Sequence, residues 1–260
     1  MTRRAKVVVS ILHTLTLRGH EGECRALVAP RYASAAERVP AERSLEELGV
    51  GLLLRMCAGV TCDEDLSWGV RGKPALAGAV VPGTNDEPGM DAAPARLPVS
   101  GTPRISISHD AGMVALALCP DAEVGVDLAR IGFDARVARR VFGDEAAKAL
   151  GDGSAVGERT AFSCVWAELE ATLKGIGTGF AADFRRHPEL LDGWLHETRV
   201  IMGDGSLRTP PAVAEKDLAP GGPRETLGPT ACLSCACRVP FDLEVRWEDE
   251  RVLALFARGL

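Results

Sequence analysis

Phe162-Ser-Cys-Val-Trp-Ala-Glu-Leu-Glu-Ala-Thr-Leu-Lys174 sits inside the clearest helical pattern of the chain, which runs from Glu158 to Lys174. Phe162, Val165, Trp166, Leu169 and Leu173 recur at spacings of three and four. That period puts apolar side chains on one helical face. Gly175 follows and is expected to end the helix. Glu170 and Lys174 lie one turn apart and share a face.

Working upstream, Val124–Leu128 reads as a short strand. Pro120-Asp121 joins it by a turn to another strand over Met113–Cys119. Arg104-Ile-Ser-Ile-Ser-His109 alternates strictly and predicts a strand with Ile105 and Ile107 on one face. A helix is expected over Val137–Leu150, stopped by Gly151-Asp-Gly153. Val7–Leu17 is rich in β-branched residues and predicts a first strand. Glu21–Arg43 is polar, Ala-rich and helical in part. Ser44 and Glu47 form a capping-box signature, and Leu45, Leu48, Leu52, Leu53 and Met56 follow at helical spacing. A buried helix is therefore expected over 44–58. Ser67–Pro74 reads as a loop or short strand, and the Pro- and Gly-rich stretches 81–103 and 203–230 as loops. Ala231–Arg238 and Leu243–Trp247 predict two last strands. The strand-turn-strand pattern of 114–128 echoes in 232–247, which suggests two α+β halves of similar design with a site between them.

At 260 residues the chain has room for one large domain or two small ones, at about 150 residues each. Its 46% hydrophobic and 25% charged residues are a globular composition. Thirty basic against 36 acidic residues give a net charge of −6, which argues against a general nucleic-acid binder. No apolar run approaches the ~18 residues of a membrane span. Arg3, Arg4 and Lys6 before Val7–Leu12 imitate a signal peptide, but the run is short and His13 interrupts it. A cytoplasmic chain with its eight cysteines reduced is the expectation. Cys232-x-x-Cys235-x-Cys237 has no fourth ligand at matching spacing and reads as a buried strand rather than a zinc site.

Candidate chemistry gathers in a few segments. Lysine is scarce, five among the 30 basic residues, yet Lys73 stands in Gly72-Lys-Pro74 and Lys174 on the apolar helix. Ser106-Ile-Ser108-His109 ends a strand in hydroxyls and an imidazole, groups that can bind a phosphate or orient a ligand. Asp127 closes Val124-Gly-Val-Asp and is expected at an exposed strand tip, a common place for a metal ligand. Each residue also has a plain reading. His109 can be a satisfied strand-end histidine and Asp127 a capping acid. Glu170 and Lys174 can form a solvated ion pair worth about 0.3 kcal/mol.

The order of these segments is more specific than any one of them. Gly-Lys-Pro, Ser-x-Ser-His, Val-Gly-Val-Asp and Trp166-x-x-x-Glu170-Ala-x-x-Lys174 together resemble the surfactin-type 4′-phosphopantetheinyl transferases. The family pattern is Gly-Lys-Pro, Ser-His, Gly-(Val/Ile)-Asp-x-Glu and Trp-x-x-Lys-Glu-(Ala/Ser)-x-x-Lys, and the resemblance covers about Leu52 to Phe180. It implies an α+β fold in which two similar halves, 1–120 and 121–260, form a pseudo-twofold with the site in their cleft. It also implies transfer of the phosphopantetheine arm of coenzyme A to a serine of an acyl or peptidyl carrier protein, with Mg²⁺ and release of 3′,5′-ADP. By the same resemblance Asp127 and Glu170 would hold the metal, Glu170 would serve as base, and Lys174 would contact the pyrophosphate. Lys73, Ser108, His109 and Arg43 would bind the coenzyme. Trp166 would pack rather than react.

The chain departs from the pattern in four places. Ala129 stands where the family has a second acid, and Leu169 where it has a lysine. Ser106-Ile107 precedes Ser-His where the family has Asn. On the helix before Arg55, Glu46 or, after a short slip, Arg43 occupies the place of a phosphate-binding arginine. The departures keep open a repurposed homologue that binds coenzyme A, a nucleotide or a carrier without standard transfer. Arg136, Arg139 and Arg140, with Arg185 and Arg186, are candidates for docking an acidic carrier, or else a solvated face. A monomer is expected, with no membrane or nucleic-acid partner.

Overall fold

The structure, a computed structural model, describes residues 4–69, 71–77, 102–181, 184–210 and 228–258. It is an α+β chain with two four-stranded sheets. The N-terminal part runs β1 (Ala5–His13), α1 (Glu21–Leu27), α2 (Pro30–Glu37), α3 (Ala41–Ala58), β2 (Leu66–Trp68), β3 (Pro74–Leu76), β4 (Arg104–Asp110) and β5 (Met113–Cys119). Then follow β6 (Val124–Arg130), α4 (Ala135–Phe142), α5 (Asp144–Ala149), α6 (Val156–Ile176), β7 (Leu195–Met202) and β8 (Leu207–Arg208). The chain closes with β9 (Pro229–Cys237), β10 (Phe241–Trp247) and α7 (Asp249–Ala257).

The first sheet has the order β10-β1-β5-β4 and the second β6-β9-β7-β8. Within them, β4-β5-β1 and β7-β9-β6 are antiparallel throughout. In each set one strand is followed by a helix, α3 or α6, and then by an antiparallel pair whose second strand joins the first. The last strand departs from this scheme: β10 returns to pair in parallel with β1, so the 241–257 tail lies with the first sheet.

Strand alternation sorts the side chains into layers. Val7, Val9 and Ile11 of β1 and Ala115 and Ala117 of β5 face Val126, Leu128, Leu233 and Cys235 of the second sheet. The opposite face of the first sheet, with Leu12, Val114 and Leu116, packs on Leu48, Leu52 and Leu53 of α3. The opposite face of the second sheet meets α6 through Ala129, Cys232 and Ala236 against Cys164, Ala167 and Ala171. The layer order is α3, first sheet, second sheet, α6. Cys232, Cys235 and Cys237 are buried in β9, and all eight cysteines are free.

Several expected boundaries move. β1 stops at His13, and Thr14–Leu17 forms a short 3-10 turn instead of strand. α3 starts at Ala41 after Pro40, so Ser44 is buried inside it and caps nothing. The helix expected over 137–150 is two, because Gly143 adopts φ 88° between Phe142 and Asp144. α6 runs past Gly175 to a left-handed cap at Gly177. Gly175 lies inside the helix, and the Trp194 ring packs 2.4 Å from where a Cβ would stand, so a side chain there would clash. β7, β8 and α7 have no counterpart in the sequence reading, and β8 lies within the 203–230 stretch read as a loop. Of the two stretches read as loops, 81–101 and 211–227 lie outside the described residues. Among the described residues no helix is long and apolar enough to cross a membrane.

Candidate functional site

β4 and β6 are edge strands of different sheets, and side chains join them. Ser106 Oγ accepts the N–H of Val126 at 3.0 Å, and Ser108 Oγ that of Leu128 at 3.0 Å. Asp110 Oδ2 accepts the N–H of Arg130 at 2.7 Å. Alternate residues of β4 thus satisfy alternate backbone donors of β6, which would otherwise be left unpaired. The Ser-x-Ser-x-Asp spacing is what makes this ladder possible.

α6 lies against β6 in the opposite direction. Gly125 permits the approach: a Cβ there would fall 1.8 Å from the Ala171 carbonyl oxygen. One strand pleat further on, Asp127 faces the last turns of the helix. Lys174 Nζ donates to Asp127 Oδ1 at 2.6 Å and to Ser108 Oγ at 2.8 Å. Ser108 Oγ donates in turn to Asp127 Oδ1 at 2.9 Å. The expected strand-tip position of Asp127 is therefore corrected. β6 continues to Arg130, and Asp127 is only 2% exposed.

Burial raises the carboxyl of Asp127 above its ordinary range, against the pull of Lys174 and the Ser108 hydrogen bond. Burial also pushes Glu170 up, to about 7, and the neighbouring negative charge of Asp127 adds to this while Lys174 opposes it. Asp110 contributes a smaller push in the same direction. Asp110 was not anticipated as part of the site. The available signal was its place two residues after Ser108 on the same strand face.

Asp127 Oδ2 is buried with no N–H or hydroxyl donor, and the Glu170 carboxyl hydrogen-bonds to Asp127. Two adjoining carboxyls that otherwise share a proton fit a hard cation such as Mg²⁺, which takes one or two protein carboxylates and completes its shell with water and substrate oxygens. No group of three or more potential ligands is gathered among the described residues. Asp127 and Glu170 would supply two carboxylates to such an ion.

The other expected residues lie around this centre. His109 points to the opposite side of β4 from Ser108 and pairs with Glu46 of α3, Nδ1 to Oε2 3.2 Å. Arg43 is exposed one turn before Glu46. Lys73 donates to the Gly175 carbonyl at 2.6 Å and to Glu123 at 2.7 Å, and Arg104 shares Glu123 at 3.1 Å. From Arg104 to His109 is five strand residues, about 17 Å. Lys73 and His109 thus serve opposite ends of the β4–β6 seam and do not meet. Ala129 is buried against Cys164 and Ala167, and Leu169 is buried as well. Trp166 is half-buried and stacks on Phe180 with ring centroids 5.2 Å apart.

Beside Trp166 a groove of about 520 Å³ is lined by Val137, Val141, Phe180 and Phe184 and flanked by Arg140 and Arg185. Arg136, Arg139 and Arg140 are exposed on α4. Compared with known families and curated proteins, the chain matches no family model and no curated protein.

Proposed function

We propose that this chain is a 4′-phosphopantetheinyl transferase that moves the phosphopantetheine arm of coenzyme A to a serine of a carrier protein. The observation that carries the reading is the meeting of Ser108, Asp127, Glu170 and Lys174 at the β4–β6 seam, because these residues come from three of the four motifs of the resemblance. The repeated strand-helix-pair connectivity supports the duplicated design that the resemblance implies.

The chemistry follows from these groups. The carrier serine oxygen attacks the phosphorus on the pantetheine side of the pyrophosphate. A new P–O bond forms, the P–O bond to 3′,5′-ADP breaks, and the serine proton passes to Glu170. Without the ion, burial and the negative charge of Asp127 raise this carboxyl and make it a stronger base than an ordinary glutamate. Lys174 has three N–H donors, of which Asp127 and Ser108 take two. The third is left for a pyrophosphate oxygen, where it stabilises the charge of the leaving group. A magnesium ion held by Asp127 and Glu170 would neutralise pyrophosphate charge. The arginines of α4 and the aromatic groove beside them suit an acidic carrier with an apolar anchor.

A second reading, a homologue that binds the coenzyme without standard transfer, is favoured by Ala129, which supplies no acid where the family has one. The test is release of 3′,5′-ADP from coenzyme A in the presence of Mg²⁺ and apo carrier. Release that requires the carrier's serine supports transfer. Coenzyme binding without release supports the second reading.

A further inference from the structure

We infer that Lys73 is a positioning residue: its ammonium fastens the last turn of α6 to the start of β6, and so holds Lys174 against Asp127. The fastening stands on contacts in the fold, and its effect on the rate rests on the transferase reading.

Lys73 reaches its partners from far away in the chain. Gly69 donates its N–H to the Lys73 carbonyl at 2.9 Å, and Gly72 takes a left-handed φ of 79°, so a tight turn presents the lysine just before β3. From there Lys73 Nζ donates to the Gly175 carbonyl, 102 residues on, at 2.6 Å. It also donates to Glu123 Oε2 at 2.7 Å. Its stem lies on the left-handed cap of α6, where Lys73 Cδ is 3.1 Å from an ideal Cβ on Gly177. The Lys73 side chain is only 20% exposed.

These partners stand at a particular place. The last four carbonyls of an α-helix have no partner within it, and a cation there also meets the negative end of the helix dipole. α6 ends at Ile176, so the Gly175 carbonyl is one of the four. Glu123 immediately precedes β6. Lys73 therefore bridges the end of α6 and the beginning of β6, where the two pack backbone to backbone: an ideal Cβ on Gly125 would fall 2.6 Å from the Gly175 nitrogen. Arg104, at the start of β4, joins the same link through Glu123 at 3.1 Å.

Lys174 is the residue before Gly175 and lies in the turn so fastened. Its ammonium sits 2.6 Å from Asp127 and 2.8 Å from Ser108. Helix ends open more readily than helix centres unless they are tied down. A displacement of about 1 Å at a reacting group can cost about 10²-fold in rate. Lys73 thus acts on the reaction through α6, whereas a coenzyme ligand would act through affinity.

The experiment compares the full chain with Lys73→Met, which keeps the stem and loses the donors, and with Lys73→Arg, which keeps charge and donors. Thermal melts show that each variant folds. Amide hydrogen exchange of Ile176, Gly177 and Thr178 is expected to speed up about tenfold in Lys73→Met, with residues 160–167 of α6 unchanged and Lys73→Arg close to the unaltered chain. In carrier modification with coenzyme A and Mg²⁺, Lys73→Met is expected to lower kcat about tenfold and to leave KM for coenzyme A within about twofold, with Lys73→Arg recovering most of the rate. Glu123→Gln, which loosens the same link from the β6 side, is expected to move exchange and kcat in the same direction, and it carries the test if Lys73→Met does not fold. Unchanged exchange in Lys73→Met overturns the fastening, whatever the activity of the chain. A raised KM for coenzyme A with kcat retained overturns the positioning role and makes Lys73 a ligand. No carrier modified by the unaltered chain sinks the transferase reading, and the exchange result then decides the fastening by itself.

Discussion

The Ala171 carbonyl oxygen occupies the space where a side chain on Gly125 would begin, 1.8 Å from an ideal Cβ. This contact sets how closely α6 lies on β6, and so whether Glu170 and Lys174 reach Asp127. Gly125→Ala must push the helix outward. Overpacking at a backbone contact of this kind costs about 3 kcal/mol. Urea unfolding is expected to show that loss, and carrier modification is expected to fall with it. A variant of unchanged stability would mean that α6 is not held by this contact.

Lys174 is the cation that offsets the buried charge of Asp127. Lys174→Ala leaves that carboxylate buried without its partner, at a cost of about 2 kcal/mol given that the lysine is 31% exposed. Adding Asp127→Asn to Lys174→Ala should recover most of the stability and none of the activity. Thermal melts of the two single variants and the double variant measure the coupling. Additive losses would contradict the pairing.

Glu170 makes the metal-free chain pH-sensitive. Folding raises its carboxyl from 4.5 to about 7. A group raised on folding contributes stability that is fully present below its unfolded value and is lost as pH rises through its folded value. Stability should therefore decline between about pH 4.5 and 7 through this residue, and Glu170→Gln should flatten that part of the profile. Added Mg²⁺ should offset the decline at pH 8. Urea midpoints at pH 5 and pH 8, with and without the ion, test this. An identical profile in Glu170→Gln would contradict it.

Much of this centre can be read in the sequence, because alternation and helical spacing are local. Ile105 and Ile107 mark β4, and Phe162, Leu169 and Leu173 mark α6. What cannot be read depends on contacts between distant residues. Gly175 looks like a helix end, but it lies inside α6, where the Trp194 ring leaves no room for a side chain. Asp127 looks like a strand tip, but β6 runs on to Arg130, held there by Asp110. The Lys174–Asp127 pair spans 47 residues, and no local pattern announces it. β7 shows little apolar alternation because the buried position between Glu197 and Arg199 is polar Thr198, held by Glu168 and Ser234. The return of β10 to β1 joins the two ends of the chain, so composition gives no hint of it.

Carrier docking should depend on charge. Arg139→Glu with Arg140→Glu, both exposed on α4, is expected to raise KM for an acidic carrier about tenfold and to weaken its salt dependence. Coenzyme affinity should hold, since α4 packs on Phe162, about three helical turns from Lys174 along α6. Steady-state kinetics at two ionic strengths decide the matter. Unchanged carrier kinetics would leave these arginines as a solvated face.

The most direct test of the account is the intact mass of apo carrier proteins incubated with the chain, coenzyme A and Mg²⁺, beside the same reaction with Glu170→Gln. The account predicts a gain of one phosphopantetheine per carrier with the unaltered chain and none with the variant. No gain on any carrier from a folded, coenzyme-binding chain would contradict it, and so would undiminished transfer by Glu170→Gln.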